Sequence, residues 1–148
     1  MTSDLEALYR DVILDHNRQP RNFRALDHAR TAEGYNPVCG DRLTVYVRVE
    51  RGVIEAAAFQ GFGCAIATAS ASLMTGSVIG KTVVEAGALF ERVHHLLASP
   101  PDTPFEDLGA LSALAGVRKF SVRVKCAMLP WQAMRAAIAA SGGVVSTE

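Results

Sequence analysis

The sequence predicts an α+β domain with helices packed on one face of an antiparallel sheet. Three observations carry this. Strictly alternating strand patterns sit in the first half of the chain, helical periodicities dominate the second half, and a single N-terminal helix precedes both. Strands grouped early and helices grouped late do not fit the βαβ alternation of a parallel sheet. The 148 residues suit one domain, 1–148, and the order of elements offers no linker that would divide it.

The elements follow in order. Ser3-Asp4-Leu5-Glu6 has the form of a capping box, with Ser3 as N-cap. Leu5, Leu8, Tyr9, Val12 and Ile13 then recur at helical spacing as one apolar stripe, and the helix ends ahead of Pro20-Arg21-Asn22. Residues 29–35 form a third strand beside two stronger ones. Leu43, Val45, Val47 and Val49 alternate with Arg42, Thr44, Tyr46, Arg48 and Glu50, the period-2 pattern of a half-buried strand. Arg51-Gly52 makes a tight turn, and Val53 to Gln60 returns. Cys64 to Ile79 is a helix of small residues that suits close packing, stopped by Gly80. Thr82-Val83-Val84-Glu85 is a second capping box, followed by an apolar face of Ala86, Leu89, Phe90, Val93 and Leu97. Ser99 to Pro104 is a proline-punctuated loop. A short helix is expected over 106–115, ending at Gly116. Val117 to Val124 reads as extended. A last helix is expected from Cys126 to Ala140, with Pro130 in its first turn and Gly142-Gly143 closing it.

Composition excludes several functions. Hydrophobic residues make up 49% and charged residues 20%, which argues against disorder. Lys and Arg number 15, as do Asp and Glu, so a sequence-independent grip on nucleic acid or an anionic membrane surface is not expected. No apolar run reaches the roughly 18–20 residues of a membrane helix. The N-terminus has acidic residues where a signal peptide needs basic ones, so a cytoplasmic location is expected.

Chemistry concentrates on three cysteines. Cys39 lies in the turn-forming run Asn36-Pro37-Val38-Cys39-Gly40-Asp41. Cys64 follows Gly61-Phe62-Gly63 where a strand gives way to a helix. Cys126 stands where the extended segment is expected to become the last helix. None falls mid-strand or mid-helix in this reading, and two sit at helix N-termini, where backbone N–H groups favour a thiolate. An odd count excludes complete internal pairing. Asp41, two residues beyond Cys39, is the natural fourth donor. Its alternative reading is an ordinary turn residue after Gly40. Three thiolates and a carboxylate suit tetrahedral zinc or the irons of an iron–sulfur cluster. Arg123 and Lys125 are positioned to offset the negative charge of such a site, or else are solvated residues on a strand face. His16, His28, His94 and His95 lack a ligand or triad context. Ser70 and Ser72 read as close packing, and Trp131 as core.

Taken together these motifs resemble the IscU/SufU family, whose members are NifU N-terminal-like proteins of iron–sulfur cluster assembly. The resemblance rests on Leu8 to His16 with Pro20-Arg21-Asn22-Phe23, on Asn36 to Asp41, on Gly61 to Ile66 with Ala69 to Thr75, and on Arg123-Val124-Lys125-Cys126. It covers nearly the whole chain. Ala67-Thr68 departs from the pattern without touching a ligand position. Lys125 stands where IscU-type scaffolds have a His, and Phe120-Ser121-Val122-Arg123 replaces their chaperone-recognition motif. Residues 98–119 resemble the insertion of SufU-type members, and Arg123 is SufU-like, so the chain is identified as SufU-type.

The resemblance implies a three-stranded antiparallel sheet with helices on one face. It implies zinc bound by Cys39, Asp41, Cys64 and Cys126. It further implies that the protein is a zinc-dependent sulfurtransferase taking persulfide sulfur from a SufS-type cysteine desulfurase and passing it to downstream iron–sulfur assembly components. In such proteins the desulfurase contributes a His to zinc and releases the Cys that matches Cys39, which becomes the sulfur acceptor, with Arg123 aiding docking or charge balance. Two other readings remain. One is an IscU-type scaffold that builds a transient [2Fe–2S] cluster on the same four positions. The other is a binding module with a purely structural zinc.

Overall fold

The computed structural model describes residues 2–139 and 144–146. Helix α1 spans Thr2–Arg18, followed by strands β1 (Arg30–Asn36), β2 (Asp41–Glu50) and β3 (Val53–Phe62). Helices α2 (Ala65–Val78) and α3 (Val83–Ala98), a 3-10 helix over Gly109–Lys119, helix α4 (Ser121–Ile138) and a short strand β4 (Val144–Ser146) complete the chain.

The sheet runs β3-β2-β1-β4. The first three strands are antiparallel, as the sequence predicts, and β4 adds a parallel edge beside β1 that the sequence reading did not foresee. Alternation decides which face is covered. Leu43, Val45 and Val47 of β2 are fully shielded, whereas Arg42 ahead of them is exposed and Thr44 and Tyr46 between them are half-buried. Helices α2 and α4 pack on the shielded face, so the helices lie on one side. The β2–β3 hairpin closes at Arg51 (φ 52°) and Gly52 (φ 76°), two left-handed residues whose twist matches that of the paired strands. At the other end, Gly61 (φ 124°) lets β3 pass against the start of β2. A Cβ there would stand 2.2 Å from the Arg42 carbonyl oxygen.

Helix α2 is capped by Cys64, and α3 by Thr82, whose hydroxyl accepts the Glu85 N–H while the Glu85 carboxylate accepts the Thr82 N–H. Ser70 and Trp131 tie α2 to α4. The Ser70 hydroxyl donates to the Ala127 carbonyl at 2.6 Å, and the Trp131 indole N–H donates to Ser70 Oγ at 3.1 Å. Trp131 is core, as its sequence setting predicts. Ser72 is buried but does more than pack. Its Oγ accepts the Arg21 N–H at 2.8 Å and lies 2.7 Å from His16 Nδ1, which pins the loop after α1 to α2. Residues 99–119 are held by Arg118. Its guanidinium donates to the carbonyls of Pro100, Thr103 and Ala115 and to Ser99 Oγ, and it stacks over Phe105.

Several expectations need correction. Helix α1 already includes Ser3, so Ser3 is not its N-cap. The front of its apolar stripe stays open, with Leu5 46% and Leu8 57% exposed, and only Ile13 is deeply buried. The helical segment expected over 106–115 is a 3-10 helix that runs through Gly116 to Lys119. Val117 to Val124 is not extended. Phe120 separates that helix from α4, which starts five residues before Cys126. Pro130 therefore lies inside α4 rather than in its first turn. It removes the N–H that would bond the Cys126 carbonyl, a cost borne because α4 packs along β1, β2 and α2. Gly142-Gly143 lies outside the described residues. No helix among the described residues is long and apolar enough to cross a membrane.

Candidate metal centre

Three segments that leave the sheet or enter helices meet at one end of the fold. The β1–β2 turn carries Cys39, β2 opens with Asp41, α2 is capped by Cys64, and the second turn of α4 holds Cys126. Gly40 (φ 73°) allows the turn between Cys39 and Asp41. The donor atoms of Cys39, Asp41 and Cys126 lie within 4.8 Å of one another. The sulfurs of Cys39 and Cys126 are 3.0 Å apart, inside their van der Waals contact.

Asp41, which directly follows the Gly40 turn, is fully buried. Its Oδ1 accepts the Cys64 N–H at 2.7 Å, an acidic group at a helix N-terminus. Its Oδ2 lies 3.8 Å from Cys64 Sγ. One carboxylate oxygen is thus committed to the backbone and the other faces the thiols. Cys64 stands at the edge of the cluster. Its sulfur accepts the Ala67 N–H at 3.4 Å as the α2 cap and reaches the group through Asp41. Gly63 keeps this approach open, since a Cβ there would stand 3.2 Å from Asp41 Oδ1.

Cys126 is buried inside α4, not at its start as the sequence reading placed it. Burial, then hydrogen bonding with Cys39 and Asp41, pushes its thiol far above the ordinary range. Cys39 is half-exposed. Arg123 lies in the first turn of α4 rather than on a strand, with Nη1 3.9 Å from Cys39 Sγ. The sulfurs of Cys126, Cys64 and Cys39 hold its guanidinium more firmly protonated than usual. Lys125 is exposed on the same helix. Asn36, at the end of β1, is buried with Nδ2 3.7 Å from Cys126 Sγ. The sequence reading treated it only as part of a turn-forming run. Its Oδ1 accepts the Val38 N–H, a bond that turn chemistry could have anticipated, but nothing local could reveal its partner on α4.

The donor set fits a thiophilic cation. Two thiols and one carboxylate oxygen converge, the Cys64 thiol lies beside that carboxylate, and the Arg123 guanidinium adjoins them; a set dominated by sulfur suits zinc or the irons of a cluster.

Comparison with known proteins identifies the family of the chain. Residues 8–127 match the NifU-like N terminal domain family. The chain is 37% identical to the zinc-dependent sulfurtransferase SufU of Bacillus subtilis over 95% of its length and 96% of that protein. It is 40% identical to the iron-sulfur cluster assembly scaffold protein IscU of Streptococcus pyogenes over 92% of its length and 86% of that protein. Among solved structures it resembles a putative iron-sulfur cluster assembly scaffold protein for the SUF system from Fervidobacterium islandicum. That match has a TM-score of 0.80 and 30% identity, covering 86% of this chain and 94% of the other. The chain therefore belongs to the NifU-like N terminal domain family, the family of the SufU and IscU proteins.

Proposed function

We propose that this protein is a zinc-dependent sulfurtransferase of iron–sulfur cluster assembly, one that accepts persulfide sulfur from a cysteine desulfurase and passes it to downstream assembly components. The observation that supports it most is the meeting of Cys39, Asp41 and Cys126 within 4.8 Å, with Cys64 against Asp41 and Cys39 half-exposed on a loop. In this reading Cys39, Asp41, Cys64 and Cys126 hold the zinc. Zinc, when bound, keeps coordinating thiols deprotonated at neutral pH and orders the site.

The chain's own residues divide the work. Cys39 is the acceptor because it is half-exposed on a loop beside Arg123, whereas Cys126 is enclosed by α4 and the sheet and Cys64, equally half-exposed, is held as the α2 cap by the Ala67 N–H. The Cys39 thiolate attacks the terminal sulfur of the donor persulfide. The donor's S–S bond breaks, its cysteine leaves as a thiolate, and Cys39 carries the persulfide. Arg123 stands beside Cys39 and stabilises its negative charge before attack. Asp41 offers a single harder oxygen, since its other oxygen holds the Cys64 N–H.

The scaffold reading, a transient [2Fe–2S] cluster on the same four residues, draws support from the likeness to the streptococcal IscU. Lys125 in place of a His before Cys126 weighs against it. Mass spectrometry of the zinc-loaded chain after exposure to a desulfurase and cysteine separates the two. A gain of one sulfur on Cys39, absent in Cys39→Ala, is expected. Transfer retained in Cys39→Ala would refute the assignment, and a stable iron chromophore from anaerobic isolation would favour the scaffold.

A further inference from the structure

Asn36 links the Cys126 thiol to the loop that carries Cys39, two parts of the cluster far apart in sequence. It is 1% exposed at the end of β1. Its Oδ1 accepts the Val38 N–H at 3.1 Å and fixes the start of the Cys39 loop. That bond also settles the orientation of the amide. The atom facing a backbone N–H must be the oxygen, so the nitrogen faces Cys126 Sγ, 3.7 Å away. A buried amide N–H needs an acceptor, and a sulfur is the acceptor it meets here. Among the described residues the Cys39 sulfur, by contrast, meets Cys126 Sγ at 3.0 Å and the exposed Arg123 guanidinium at 3.9 Å, and no buried amide.

We infer that Asn36 is a positioning residue of the metal centre: its side-chain N–H holds the Cys126 sulfur as the fixed ligand, so that ligand exchange and sulfur acceptance fall to Cys39. This rests on the proposed metal site. The physical reason is that an N–H donor draws electron density from a thiolate, which makes that sulfur less nucleophilic, while outer-shell partners fix the direction from which a ligand approaches. Asn36 thereby sets an asymmetry between two sulfurs that stand side by side. Its second bond gives the loop carrying Cys39 a defined starting point.

Cobalt(II) in place of zinc gives the test. The unaltered chain should show intense thiolate-to-cobalt absorption. Asn36→Asp keeps the acceptor for Val38 and loses the donor to Cys126. It should move that absorption to lower energy and weaken cobalt affinity about tenfold, the lower end of the effect of such partners. Asn36→Ala should do the same and also loosen the Cys39 loop. Cobalt absorption energy and cobalt affinity unchanged in both variants would overturn the inference while leaving the metal site standing. Absence of the absorption in the unaltered chain would overturn both. If neither variant folds, the unaltered chain loaded with cadmium-113 decides. A scalar coupling between the Asn36 side-chain amide proton and the metal is expected, and its absence overturns the inference.

Discussion

Removing the Ser70 hydroxyl should loosen the joint between the helices that bear Cys64 and Cys126. In Ser70→Ala the Ala127 carbonyl keeps its bond within α4 but loses the 2.6 Å hydroxyl, a loss of about 1 kcal/mol. The Trp131 indole N–H loses its 3.1 Å acceptor, and Trp131 is fully buried, so water cannot replace it. An orphaned buried donor costs about 1–3 kcal/mol. The total, about 2–4 kcal/mol, corresponds at this chain length to a fall of roughly 5–15 °C in Tm. The assay is thermal unfolding by circular dichroism after metal is stripped with chelator, so that ligand binding does not mask the change. Ser77→Ala is the internal control. The Ser77 hydroxyl bonds back to Leu73 within the same helix, and its loss should change Tm by no more than about 2 °C. Equal Tm values for the two variants would refute the reasoning.

Two further predictions follow from the geometry. Burial, followed by the charge of Arg21, lowers the pKa of His16 from its ordinary 6.5, while Asp15 opposes the shift. The unfolded chain then binds more protons than the folded one between the two values, so stability rises with pH across that window. It should be complete above about pH 6.5 and decline as pH falls toward the folded value. In His16→Gln, urea titrations across this range should show the slope flattened, and an unchanged slope would refute the role. Gly61→Ala should cost several kcal/mol because its Cβ would meet the Arg42 carbonyl at 2.2 Å with φ at 124°. Gly76→Ala on α2, with nothing within 4 Å of the added Cβ, should instead gain about 0.5–1 kcal/mol. Denaturant midpoints that rank the two in the opposite order would contradict the packing described here.

The three long strands, the β2–β3 turn and the Thr82 capping box were legible in the sequence because each is a local device. Period-2 alternation, a left-handed pair at Arg51-Gly52 and the Thr-x-x-Glu pattern need no distant partner. The stretch from Val117 to Val124 misled because its β-branched residues mimic a strand. Their real setting is the junction of two helices, and tertiary packing overrides that propensity. Reading this segment as extended also displaced the start of α4 and made Pro130 look like a first-turn residue. The residues of the cluster could be named from their spacing and from the family resemblance. Their individual environments could not. That Asp41 commits one oxygen to Cys64, that Cys126 sits inside a helix, and that Asn36 and His16 find partners on α4 and α2 all depend on contacts between segments many residues apart.

The central claim is that the chain is a zinc-dependent sulfur acceptor. It is tested most directly by alanine formation from cysteine by a SufS-type desulfurase, measured with and without the zinc-loaded, iron-free protein. The account predicts a large rise in turnover that disappears with Cys39→Ala and with the zinc removed. No rise while zinc remains bound would contradict it and would favour a cluster scaffold or a structural zinc module.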